Sequence, residues 1–202
     1  MAISETNTRE QFVAAAERLF ADRGFYGASI AAIARELGLT KQALLHHFGS
    51  KEKLYGEVLA KISNELEASS HVIAEKTSDP SGQLEELVVA QYRKVMANEA
   101  SARLLMRELL DNEQRAQQAS NWYLKPYLDQ LLETAAEIDT LEHLDRGSRL
   151  ALVYQLLGAA HYFAVSQPTL EQIFGAALLQ QATARYEDEL RRLIRLRIAT
   201  AN

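Results

Sequence analysis

Lys41, Gln42, Ala43 and His46 fall within one short run of the sequence, and each type suits the edge of a base pair. A lysine ammonium or a glutamine amide can hydrogen-bond to bases in a major groove, and an alanine methyl can touch a thymine methyl. Such contacts need a helix propped with one face outward. The stretch around them supplies it: Ser29-Ile-Ala-Ala-Ile-Ala-Arg-Glu-Leu-Gly-Leu-Thr-Lys-Gln-Ala-Leu-Leu-His-His-Phe48. Ser29 and Thr40 are good N-caps for two short helices. Gly38 between them tolerates a positive φ and allows a sharp turn. Ala34 is small where the helices cross, and Ile33, Leu37, Leu39 and Leu44 offer a shared core. The pattern is that of a helix-turn-helix, or of an ordinary helical hairpin. His46-His47 does not read as a metal pair, because neighbours on a helix point about 100° apart; one faces the core and the other faces out.

The elements around this pair are helical throughout. Thr8-x-x-Gln11 reads as a capping box, and Phe12, Ala15, Ala16, Leu19 and Phe20 follow at helical spacing up to Gly24. Gly49 closes the second short helix and Ser50 caps a longer one, Lys51 to Lys76. Residues 77–82 form the clearest loop. Further helices are expected over 83–97, 101–111, 113–137 (kinked or split at Pro126), 146–166 and 170–198, the last opened by a capping box at Thr169-x-x-Gln172.

Hydrophobic residues make up 48% and charged residues 24% of the chain, which excludes bulk disorder. The absence of Cys excludes disulfides, thiolate metal sites and Cys catalysis. The polar start of the chain and the lack of any long apolar run predict a cytoplasmic protein with no membrane association. Residues 1–56 carry 7 Lys+Arg against 6 Asp+Glu, whereas the rest carries 15 against 21. The acidic excess thus lies outside the first quarter, and a slight basic excess sits where the helix pair lies. No phosphate loop, HExxH, GxGxxG or G-x-S-x-G occurs, and no His has a Glu three residues before it, as a di-iron bundle requires. No enzyme and no cofactor are expected.

Ala15-Ala-Glu-Arg-Leu-Phe20, Gly24-Phe25, Ser29-Ile30, Ile33-Ala34, Gly38-Leu-Thr40, His46-His-Phe48 and Ser50-Lys51-Glu-x-Leu54 together resemble the TetR family of bacterial regulators. The resemblance spans roughly the first 55 residues without a gap. It implies an all-α fold: an N-terminal three-helix helix-turn-helix DNA-binding domain over residues 1–55, and a C-terminal helical ligand-binding and dimerisation domain over 56–202. It implies DNA contacts from Ser29, Thr40, Lys41, Gln42, Ala43, Leu45, His46, His47 and Lys51. Lys51 would meet a phosphate at a helix N-terminus, where the dipole and free N–H groups help. The chain departs from the family at Leu45 and His47, where aromatic Tyr is common, so one hydroxyl contact is in doubt.

The resemblance further implies a homodimer on double-stranded DNA and a small-molecule effector. Residues 146–166 are apolar nearly all round, so that helix must be covered on more than one side. Leu150, Val153 and Leu157, with Phe174 and Leu178 from the last helix, are the expected dimer interface. Tyr92, Met96, Met106, Trp122, Tyr123, Tyr127, His161 and Tyr162 are candidates for an effector pocket with a few polar handles. Each has an alternative reading as core. Arg103 and Arg107 could hold an acidic effector or pair on the surface with Glu99 or Glu108, and Arg103 is retained among the candidates. Arg191, Arg192, Arg195 and Arg197 read as a solvated face paired to Glu187, Asp188 and Glu189. The function expected is a repressor released from a near-palindromic operator by an effector; the alternative is a DNA-binding regulator or architectural protein without one.

Overall fold

A computed structural model describes residues 5–110 and 123–200. The described residues are helical, with no strand. Helix α1 runs Glu5–Gly27, and at Gly24 the backbone leaves helical geometry (φ 70°, ψ 172°). The helix starts upstream of Thr8, so that residue lies inside it and does not cap it. Helices α2 (Ile30–Glu36), α3 (Lys41–Phe48) and α4 (Lys51–Lys76) begin and end where the sequence places them. Helix α5 (Pro80–Ala97) starts three residues earlier than expected. Asp79 accepts a hydrogen bond from the Gly82 backbone N–H at 2.7 Å, and Pro80 occupies the first turn, where its missing N–H costs nothing. Helix α6 runs Glu99–Leu110.

Helix α7 is Lys125–Ala136, with Pro126 in its first turn. Residues 123–124 form a turn and Pro126 lies in the first turn of a new helix, in keeping with a split there and not a kink. The first part of the helix expected over 113–137 lies outside the described residues. Helix α8 runs Arg146–Phe174 and α9 Ala176–Ala199. The expected break between them is misplaced. Thr169 sits inside α8 and caps nothing. Pro168 is absorbed at the loss of one ladder bond, and the chain breaks at Gly175 (φ 81°), where only glycine is unstrained.

The chain forms two compact units: Met1–Asn64 with Ala100–Tyr123, and Glu65–Glu99 with Leu124–Asn202. The first unit is larger than the segment 1–55 expected to carry DNA binding, because most of α6 joins it. Its core holds Phe12, Phe20, Ile33, Leu44, Leu54 and Leu104, all fully buried. Burying each such side chain stabilises by roughly 1.5–3 kcal/mol. Phe20 packs edge-on against Tyr55 at 4.8 Å. Helix α6 is tied in by polar contacts. Ser101 donates to Glu17 at 2.5 Å, and Glu17, itself buried, also accepts from Lys61 at 2.9 Å. Tyr55 donates to the buried Glu108 at 2.6 Å. Arg107 donates to the carbonyls of Ala21 and Asp22 at 3.0 and 3.1 Å. Glu108 is buried, so it is not the surface charge that the sequence suggested.

In the second unit α5 packs on α7, α8 and α9, and α8 on α9. Leu84, Val88, Leu131, Val153, Leu156 and Ile194 form its buried centre. The basic end of α9 is not simply self-paired. Arg192 pairs with Glu189 at 3.1 Å and Arg191 with Glu187 at 3.4 Å, as expected, but Arg191 also reaches Glu85 and Glu86 on α5 at 2.8 and 2.6 Å, and Arg195 reaches Glu85 at 2.7 Å. Burial alone would raise the Glu85 carboxyl's pKa; the hydrogen bonds from Arg195 and Arg191 outweigh it and hold the value below normal.

Candidate nucleic-acid interface

The turn between α2 and α3 is built from backbone. The Gly38 N–H donates to Arg35 and the Leu39 N–H reaches back to Ala34 at 2.9 Å, satisfying the last carbonyls of α2. This closure needs Gly38 at φ 68°. Ser29 Oγ accepts from the Ala32 N–H and Thr40 Oγ1 from the Ala43 N–H, both at 3.1 Å. Capping uses a lone pair only. Each hydroxyl keeps its proton, and both residues are exposed, so each can still donate to a phosphate oxygen.

Leu44 and Phe48 seat α3 in the core. Lys41, Gln42 and His46 are thereby turned to solvent on its far side, with Ala43 and Leu45 half-buried beside them. His47 is also half-buried, its ring 5.6 Å from that of Phe12 and 6.2 Å from that of Phe48. It leans on α1 more than it projects outward. Lys51 stands at the N-terminus of α4 with its ammonium 4.4 Å above the Phe25 ring. Burial pulls its pKa below the usual lysine value, with Glu52 opposing. Tyr26 is 69% exposed and packs edge-on against Phe25 at 5.3 Å. It was missed by sequence reasoning. No spacing rule marks it: past the Gly24 break Phe25 packs on Phe20 and Tyr55, at 6.0 and 5.1 Å, and leaves Tyr26 in solvent.

The residues expected at an effector pocket belong to both units. In the second unit, Tyr92, Met96, Tyr127 and His161 lie around α5. The Tyr92 ring is 5.2 Å from that of Tyr186, which stacks on Phe163 at 3.8 Å, and burial pushes the Tyr92 phenol's pKa up to about 12. Gln167 bridges Met96 Sδ and Thr183 Oγ1 at 3.5 and 3.2 Å. His161 meets Gln91 and the Leu157 carbonyl. Tyr127 is buried, and burial raises its pKa. Tyr162 is 71% exposed. Arg103, Met106 and Tyr123 belong to the first unit, and Trp122 lies outside the described residues. A wider concavity of about 500 Å³ is lined by Asp79, Glu85, Glu137, Asp139 and Arg195 and includes none of the expected residues. Of the residues expected at a dimer interface, Leu150, Phe174 and Leu178 are exposed, whereas Val153 and Leu157 are buried within the unit.

Residues 12–58 match the family model described as bacterial regulatory proteins, tetR family. The chain is 28% identical over 105 residues to the HTH-type transcriptional repressor KstR2 of Rhodococcus jostii, covering 52% of each chain. It is 39% identical over 49 residues to the HTH-type transcriptional repressor AcnR of Corynebacterium efficiens, covering 24% of this chain and 26% of that one. The match thus spans about half the length of the first relative and about a quarter of the second. Among solved structures, the transcriptional regulator FadR from Bacillus subtilis, in complex with stearoyl-CoA, shares the fold with a TM-score of 0.71. The identity is 18%, over 92% of this chain and 96% of that one. The relatives and the fold are those of regulators, not of enzymes. Among the described residues, no helix is long and apolar enough to cross a membrane.

Proposed function

We propose that this chain, which belongs to the TetR family of transcriptional regulators, is a homodimeric repressor that reads a near-palindromic operator with α3 and leaves it when a small molecule binds. Residues 1–55 read the DNA, and residues 56–202 hold the effector and the dimer interface. The observation that carries the reading is the presentation of α3. Its core side is fixed by Leu44 and Phe48, and its exposed side offers Lys41, Gln42 and His46 between the free hydroxyl protons of Ser29 and Thr40. Lys41, Gln42 and His46 contact bases, with Ala43 and Leu45 against them. Ser29, Thr40 and Lys51 grip phosphates, and His47 braces α3 against Phe12. The repressor sense is supported by the names of the two relatives.

A two-fold partner covers the apolar side chains that α8 and α9 leave in solvent: Leu150, Phe174 and Leu178, with Tyr154 and Leu193. Two recognition helices then meet successive major grooves about 34–36 Å apart. An effector that binds better to a dimer with another spacing shifts the population and releases the DNA.

Selection of bound duplexes from a random pool at physiological salt tests the proposal. Enrichment of a near-palindrome is expected. No enrichment even at low salt would leave the family's fold without its function.

A further inference from the structure

We propose that a slot walled by α4, α5 and α7 is a head-group site for a neutral hydrogen-bond donor, a hydroxyl or N–H on a slim apolar ligand, anchored by Gln91. The proposal deepens the effector reading and rests on it for its regulatory meaning, though not for the binding itself.

Gln91 is 2% exposed. Its Nε2 lies 2.9 Å from His161 Nε2, and the direction of that bond is fixed by the other side of the ring. His161 Nδ1 is 3.0 Å from the Leu157 carbonyl, which can only accept. Nδ1 therefore carries the hydrogen, and in a neutral imidazole Nε2 is then an acceptor. Burial favours that neutral form. The Gln91 amide must donate to His161 and turn its Oε1 the other way. That oxygen is buried and has no hydrogen-bond partner. Buried polar atoms are seldom left so, because the lost hydration goes uncompensated.

The same residue lines the slot with Leu66, Ser69, Ser70, Leu87 and Tyr127. The hydroxyl protons on these walls are already given away. Ser69 donates to the Glu65 carbonyl at 2.8 Å, Ser70 to the Leu66 carbonyl at 2.9 Å, and Tyr127 to the Leu87 carbonyl at 3.5 Å. Lys94, at the slot's edge, is 2.9 Å from the Glu65 carboxylate, so its charge is matched. The atom left without any partner is Gln91 Oε1, which can only accept. A hydroxyl or N–H on the guest satisfies it; a guest that only accepts, such as a ketone or a carboxylate, leaves it unpaired. The free volume is about 10 Å³, roughly what one water occupies. Only a ligand's head atom enters, in the place of such a water, and its chain lies along the apolar wall.

The test is a titration of the full-length, isotopically labelled chain with 1-propanol, 2-butanone and propionate, followed by NMR at the Gln91 side-chain amide. Saturable shifts with 1-propanol are expected, with the ketone and the carboxylate at least about tenfold weaker, since a site built to bond a donor rejects analogues lacking it. Gln91→Leu is expected to erase the preference. If that variant fails to fold, the alcohol-versus-ketone comparison on the unaltered chain still decides. Equal binding of 2-butanone and 1-propanol overturns the proposal, and so does the absence of any saturable shift, which leaves a resident water only. Duplex binding by the same preparation separates the readings. A chain that binds DNA and ignores 1-propanol loses this site alone; one that binds 1-propanol and no DNA loses the regulator.

Discussion

Two residues carry consequences that follow from their own chemistry. Gly38 sits at φ 68° with nothing within 4 Å of where a Cβ would stand. Gly38→Ala therefore meets no clash and costs only the left-handed backbone, about 1–2 kcal/mol; urea denaturation would read it as a lowered midpoint with an unchanged slope. His161 gives a pH dependence. Burial lowers its pKa below the ordinary histidine value of about 6.5, with the hydrogen bond to Leu157 opposing. Protonation would also set an Nε2 hydrogen against the Gln91 amide donor. Below about pH 6.5 the unfolded chain binds a proton that the folded chain refuses. Stability contributed by this residue is complete above that pH and is lost as pH falls from there towards the lowered folded value. Urea midpoints measured from pH 7.5 to 5 should fall, and His161→Gln should flatten that stretch of the curve.

At the scale of elements, the ion pairs between α5 and α9 are open to test. Glu85 is 8% exposed, and Arg191 and Arg195 both pair with it. Glu85→Ala removes one of three carboxylates around Arg191, which keeps Glu86 and Glu187, and a loss of about 1 kcal/mol is expected, below the figure for a fully buried pair. Arg195, 69% exposed, remains hydrated. A thermal scan at neutral pH checks this. Three caps were legible in the sequence because they are local: Ser29, Thr40 and Ser50 each bond a backbone N–H three residues on, whereas the caps read at Thr8 and Thr169 fall inside longer helices. The attachments of α6 were not, because Ser101, Arg107 and Glu108 find partners 53 to 86 positions away. The α8 boundary misled for another reason. The capping box at Thr169 spells a restart, yet the helix runs on past Pro168 and the break falls at Gly175. The α3 face was readable from spacing alone, whereas the residues expected at an effector pocket divide between two units that no pattern separates. Gln91 was overlooked because a glutamine in an apolar stretch gives no sign of which partner it lacks.

For the whole molecule, the account requires a dimer. Phe174 and Leu178 are 59% and 53% exposed, and apolar side chains grouped this way are a liability unless covered. Leu178→Arg should yield monomers in sedimentation velocity at micromolar concentration and weaken operator binding by at least about tenfold, because two half-sites no longer act together. An unchanged dimer would move the interface elsewhere. The central claim, that α3 reads bases while the start of α4 grips the backbone, is tested most directly by comparing two variants on the selected operator and on scrambled duplex over a range of salt. Lys51→Ala is expected to weaken both DNAs about equally and to reduce the salt slope by about one unit, while Gln42→Ala relaxes the preference for the operator by about 1–3 kcal/mol and leaves the slope alone. Equal losses from both variants on every sequence, with the same change in slope, would contradict it.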